Sequence, residues 1–230
     1  SGCPGCPYRT YSAFKNYYGD IDYADKWITA ALDGTKHTFA NKDAAGNDLV
    51  VDFATYNDAK TRGEAAKKGT AYMSALMYVI REFEDAIDDC KYDNITNNYD
   101  AAHAWDEGVA FYTGSLEGTA VGGNAAGKLA YRLAEKRCAN FNTCGPTGTE
   151  ATGVSKVNLD LFTLFAEGQV ALTQSQCAAV RPILEKVTSK LFVPLIQGAL
   201  RYAYMMSTDG PGGSGTNAAG SPTLLKQNAE

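Results

Sequence analysis

The chain is short of the features that mark several functional classes. Its 230 residues contain no cluster of Lys and Arg, and the formal net charge is −5. Nucleic acid and anionic membrane surfaces are therefore poor partners. No apolar run approaches the ~20 residues of a bilayer-spanning helix. Leu191-Phe-Val-Pro-Leu-Ile196 is short and carries a proline, so no membrane insertion is expected. There is no Gly-x-Ser-x-Gly, no phosphate-cradling glycine loop leading into a helix, and no Cys–His pair in an obvious catalytic context. Nucleophilic catalysis finds no support, and no enzyme is expected. Cys3-Pro-Gly-Cys6 lacks a second CxxC and a following βαβ pattern, which argues against a closed zinc site and a redox motif. Only two histidines are present, His37 and His103.

One of them lies in an informative run, Ala-His103-Ala-Trp105-Asp106-Glu107-Gly108-Val-Ala-Phe111-Tyr112. On a helix His103 and Glu107 project from one face, with Asp106 close to the same line and Asp100 one turn before it. An imidazole beside carboxylates, on a stripe otherwise made of Ala, Val and aromatic residues, is a donor set that a helical bundle can offer a hard or borderline metal ion.

The pattern is all-α. A short helix over 23–33 is expected, with Asp22 to cap it and Gly34 to end it. Apolar residues at helical spacing predict long helices over 61–89, 98–114, 128–141, 155–175 and 176–206. The helix over 155–175 is apolar on most sides and reads as central. Pro182 fits the first turn of the last helix, and Pro194 should kink it. The expected architecture is an up-and-down helical bundle with long loops and an N-terminal Tyr/Gly-rich arm over 1–20. A loose tail runs from 207, and the whole chain 1–230 reads as a single domain. Leu49–Phe53 can form an isolated strand or an extended loop, in an otherwise polar stretch 35–58.

Helices 61–89 and 98–114 should form an antiparallel hairpin, with facing residues whose numbers add to about 189. Glu82, Glu84 and Asp85 then lie level with His103 and Glu107. Glu84 borders the apolar stripe, whereas Glu82 points more outward, so Glu84 is the preferred partner. An echo at an offset of 60 residues pairs Glu107-Gly108-x4-Thr-x-Ser with Glu167-Gly168-x4-Thr-x-Ser and places Glu167 in an equivalent position. The candidate metal ligands are His103, Glu107, Glu84 and Glu167, with Asp106 or Asp100 behind them. Oxygen-rich ligation with one imidazole suits Fe3+, Fe2+ or Mn, and Zn less well. No Glu-x-x-His is present, so a di-iron carboxylate centre is disfavoured. The competing reading is an ordinary ion pair with acids facing water. The run Glu82-Phe-Glu84-Asp85-Ala-Ile-Asp88-Asp89 has the same two readings, an attractor of cations or a solvated helix face.

Other polar and aromatic residues read as structural. His37 sits beside Lys36 in a polar loop and should be exposed. Among fourteen tyrosines, Tyr72, Tyr78, Tyr112 and Tyr131 fall at core spacing. Arg201, on an apolar last helix, must be paired, either in a salt bridge or as a clamp for a carbonate or small-anion co-ligand. Six cysteines and the sequon Asn94-Ile-Thr96 favour an oxidising, extracytoplasmic compartment and a glycoprotein. Cys138 and Cys144 bracket a segment short enough to be closed by a disulfide. The start Ser1-Gly2 reads as processed or trimmed.

Several segments resemble the algal iron-assimilating, low-iron-inducible (high-CO2-inducible) periplasmic proteins. The most specific is Ala104-Trp105-Asp106-Glu107-Gly108-Val-Ala-Phe111-Tyr112-Thr-Gly-Ser-Leu-Glu117-Gly118. Others are Tyr17-Tyr18-Gly19 with Tyr23–Gly34, Leu129-Ala-Tyr131-Arg132, Lys136-Arg137-Cys138, and Leu200-Arg201-Tyr202-Ala203-Tyr204. The resemblance implies secretion to the periplasm or cell wall and a binding role in iron uptake, with a membrane iron transporter as a partner. It strengthens the metal reading of Glu107, Asp106 and Glu167. A secreted structural or interaction protein of the cell wall, without metal, is the alternative class.

Overall fold

The computed structural model describes residues 8–91, 101–114 and 129–206. Cys3, Cys6, the Asn94 sequon, Asp100, the segment 118–127 and the tail from Ser207 lie outside the described residues. Among the described residues the fold is mostly helical, with one two-stranded hairpin. In chain order the elements are α1 (Arg9–Tyr18), α2 (Tyr23–Asp33), β1 (Lys36–Lys42), β2 (Asp48–Asp52), α3 (Ala59–Gly69), a π-helical turn (Thr70–Ala75), α4 (Leu76–Lys91), α5 (Ala101–Thr113), α6 (Ala130–Phe141), α7 (Lys156–Thr173) and α8 (Cys177–Met206). The chain divides into two compact units, one of Ser1–Ala13 and Ala75–Leu195, the other of Phe14–Ser74 and Ile196–Glu230.

Within the second unit, α2 and α3 pack through Ala30, Ala31, Ala65 and Ala66, with Phe53, Trp27 and Tyr56 closing the cluster. Small residues let the two backbones approach, and Gly69 leaves room for the Trp27 ring. Gly34 ends α2 in the left-handed conformation at φ 67°, as anticipated. Asp22 makes no side-chain cap. Asp20 instead accepts the Asp22 amide at 2.9 Å and pairs with Lys26. α3 begins on Asp58, whose carboxylate accepts the amides of Lys60 and Thr61.

The stretch read as polar loop pairs with β2 as the antiparallel strand β1, matching His37 to Val51. Only Phe39 of β1 is buried, so the strand carries no alternating apolar signal. His37 is half-buried rather than exposed, with its ring 4.8 Å from that of Phe39. Asp43 organises the turn by accepting the amides of Ala45 and Asn47.

The first unit holds the aromatic core. Phe83, Trp105, Tyr112, Leu161 and Leu172 are buried, and the Phe83 and Trp105 ring centroids lie 4.5 Å apart. Trp105 Nε1 donates to the Phe165 carbonyl at 3.0 Å, which ties α5 to α7. The two echoed glycines accommodate rings. A Cβ on Gly108 would meet Phe83 at 2.7 Å, and one on Gly168 would meet Trp105 at 2.0 Å. Close packing therefore explains both mid-helix glycines. α7 buries one stripe, Val157, Leu161, Leu164, Phe165, Gly168 and Leu172, while Phe162 and Val170 are exposed, so it is not enclosed on most sides.

Behind this core lies a polar network that the hydrophobic pattern did not reveal. The Tyr112 hydroxyl donates to Asn158 Oδ1, and Asn158 Nδ2 donates to the Tyr131 carbonyl and to Glu135. Glu135 also accepts the Ser155 amide at 3.0 Å. Among the described residues two disulfides brace the unit: Cys138–Cys144 closes the bracketed loop, and Cys90–Cys177 joins the end of α4 to the start of α8. Asp160 lies between Lys156 and Lys190. Burial opposes its ionisation, but the two ammonium groups prevail and hold its carboxyl below the ordinary value.

Two outcomes follow. Gly168→Ala should lower stability, because overpacking against Trp105 costs about 1–3 kcal/mol and exceeds the ~1 kcal/mol gain in helix propensity; thermal melting followed by circular dichroism reads the loss. The lowered carboxyl of Asp160 contributes stability that is present above its unfolded value and is lost as pH falls through its folded one. Asp160→Asn should therefore shrink the stability difference between pH 6 and the acid range below ~4, as measured by urea unfolding across pH.

Candidate functional site

α4 buries eight apolar or aromatic residues, and among them runs an unusually acidic sequence, Glu82-Phe-Glu84-Asp85-Ala-Ile-Asp88-Asp89. The helix is covered along more than one line, so the acids do not form a solvated face. Glu82 and Glu84 are 3% and 1% exposed, and Asp85, Asp88 and Asp89 are half-buried. Each buried carboxylate must then find its own partners.

α5 lies antiparallel to α4 in the expected register. The Tyr78 and Phe111 rings, opposite each other in that register, are 4.8 Å apart. Between the two helices runs an open groove of about 420 Å3. Tyr78, Glu82, Asp85 and Asp89 line it from α4, and His103, Ala104 and Glu107 from α5, with Arg81 among them. His103 Nε2 stands 3.3 Å from Glu107 Oε1, and both side chains are near half exposure. The sequence pair thus exists as a pair, in a concave setting.

Glu82 faces this groove, and Glu84 does not. Glu84 accepts the amides of Thr10 and Tyr11 at 2.8 and 3.1 Å, capping the first turn of α1, with Arg181 Nη1 of α8 3.6 Å away. The choice of Glu84 over Glu82 is therefore reversed: the free first amides of α1 claim Glu84. Burial pushes the Glu84 carboxyl up, against the pull of those amides and of Arg181. Glu82 is likewise pushed up by burial, opposed by the hydroxyl of Tyr78, which donates to it, and by Arg81.

The remaining candidates stand apart from the groove. Asp106 is exposed and accepts from Gln169 Nε2 of α7 at 3.2 Å, and Glu167 is exposed on α7. Neither lines the groove. Glu167 follows the echo, but the echoed feature is the glycine that admits a ring. Arg201, in the other unit, sits over the Tyr202 ring with Nη1 2.7 Å from Met205 Sδ. Tyr112 and Tyr131 are buried as anticipated, whereas Tyr78 is 41% exposed on the groove rim. Tyr78, Arg81, Asp85 and Asp89 were not among the ligand candidates. Their signal was available: positions 78, 82, 85 and 89 recur at helical spacing as one polar stripe.

Among the described residues no three His, Cys, Asp or Glu side chains converge as a ready-made metal site. What the fold defines is a helical protein braced by disulfides, with an acidic groove holding one imidazole and one guanidinium. The sequence pattern of the low iron-inducible periplasmic proteins matches residues 16–203, and the chain belongs to that family. No curated protein and no solved structure matches it. No helix among the described residues is long and apolar enough to cross a membrane.

Removing Glu84 would take from the α1 amides their acceptor and from Arg181 its buried carboxylate neighbour. Glu84→Ala should cost about 3–5 kcal/mol of stability, measured by chemical denaturation, whereas Asp106→Ala at the exposed face should change it by less than about 0.5 kcal/mol.

Proposed function

We propose that this protein is an extracytoplasmic iron-binding protein that assists iron uptake, acting as a binding protein rather than an enzyme. Iron is its cargo, held at the α4–α5 groove and delivered to a membrane transporter. The observation that carries the reading is the His103–Glu107 pair at 3.3 Å in a groove also lined by Glu82, Asp85 and Asp89. Membership of a low iron-inducible periplasmic family supports iron as the cation. Carboxylates and one imidazole suit iron better than a soft metal does. The groove carries four acids against one guanidinium, so its field draws cations in. Glu84 and Glu167 have no part in this reading, and Asp106 lies outside the groove. Capture requires at least two donors to swing together, since no three are preassembled among the described residues.

That last observation also favours a second reading, a secreted cell-wall interaction protein without metal. Titration calorimetry with ferrous iron under anaerobic conditions separates the two. The wild type should bind one or two equivalents of iron, and the His103→Ala/Glu107→Ala double variant should lose binding; unchanged uptake by the double variant refutes the groove assignment. Affinity should also weaken as pH falls, because imidazoles and carboxylates bind a metal only in their deprotonated forms.

A further inference from the structure

The groove already contains a cation. Arg81 Nη1 lies 2.7 Å from Glu82 Oε1 and 3.4 Å from Asp85 Oδ2, two of the acids that line it. Its guanidinium is also within 5.8 Å of the ring centroids of both Tyr8 and Tyr78. Glu82 is 3% exposed, so its charge cannot be screened by water and needs a counter-ion at hand. The geometry points to Arg81 as a resident counter-ion that competes with the incoming cation and so sets the groove's cation affinity and selectivity. The inference rests on the groove reading above and adds a residue whose removal should strengthen binding, the opposite of a ligand's signature.

The physical argument is one of exchange. A metal ion that takes an oxygen of Glu82 or Asp85 must push the guanidinium aside, losing a charge-assisted hydrogen bond as it gains a coordination bond. A singly charged competitor is displaced more readily by a divalent or trivalent ion than by Na+ or K+, because attraction to the carboxylates scales with charge. Arg81 thereby discriminates against the abundant monovalent ions while keeping Glu82 paired when no metal is present. Its partly exposed position lets the displaced head move into solvent. Arg181 serves Glu84 at α1 and has no such exit, being 19% exposed.

The test uses the full chain with Arg81→Ala and Arg81→Gln, and Mn2+ as a redox-inert probe beside anaerobic Fe2+. Two readouts are taken: affinity by calorimetry, and melting temperature with and without metal, with far-UV circular dichroism reporting the fold. Both variants should bind metal on the order of tenfold more tightly than wild type, about 1.4 kcal/mol. Without metal both should melt lower, and added Mn2+ should restore the melting temperature of the variants more than it raises that of wild type. Should one variant fail to fold without metal, its recovery of helical signal on adding Mn2+ supports the inference, and failure to recover in both variants overturns it. If wild type and variants bind metal equally, or the variants bind more weakly, the counter-ion role is overturned while the groove reading stands. If neither wild type nor variant binds metal, the groove reading itself falls and the inference with it. Binding by the variants alone supports the inference in its strongest form.

Discussion

Five acids within about two turns of α4 dominate the physics of this protein. A carboxylate taken out of water loses several kcal/mol of solvation unless neighbours replace it. α4 is covered on more than one side, so Glu82 and Glu84 have lost that water, and the elements around them supply the replacement. The first amides of α1 and the guanidinium of Arg181 serve Glu84. Arg81 and the Tyr78 hydroxyl serve Glu82. The Tyr8 hydroxyl serves Asp85, which it shares with Arg81. The start of an N-terminal helix and a surface groove are thus both attached to one acidic helix.

This division gives neighbouring residues different tasks. Glu84 is enclosed and structural, because its partners are backbone amides that cannot leave. Glu82 is equally buried, but its partners are side chains able to swing away, and it lies at the edge of an open groove. The same chemical group therefore becomes a cap in one position and, two residues before it, an acid held by side chains at the rim of a groove. Opposite it, α5 contributes His103 and Glu107 on its outer face and Trp105 on its inner face, so the groove is anchored to the aromatic core one residue away.

Rigidity comes from that core. Gly108 and Gly168 let Phe83 and Trp105 sit directly on helix backbone, and the Cys90–Cys177 bridge holds the end of α4 against the start of α8. The Tyr112–Asn158–Glu135 network pins α5, α6 and α7 together through hydrogen bonds that leave the buried polar atoms paired. A groove set on such a frame presents its donors on firm helices rather than on a loop.

Much of this was legible in the chain itself. Helical periodicity placed α4 through α8, the antiparallel register set Tyr78 against Phe111, and the spacing of Cys138 and Cys144 marked their bridge. The His103–Glu107 pair needs only the pitch of one helix, so local sequence sufficed. The run around Trp105 pointed to the family, whose pattern matches residues 16–203. What sequence could not decide was which acid faces which neighbour. Glu82 and Glu84 both fall near the apolar stripe of α4, and their fates depend on α1 and α8, which are distant in the chain. The β1 strand was hidden for the same kind of reason: its single buried residue carries no pattern, and it exists because Val51 and its neighbours pair with it. Periodicity reports the face a helix turns inward, but the partner that meets each polar group on that face is chosen by packing between remote segments, and only the tertiary structure records that choice.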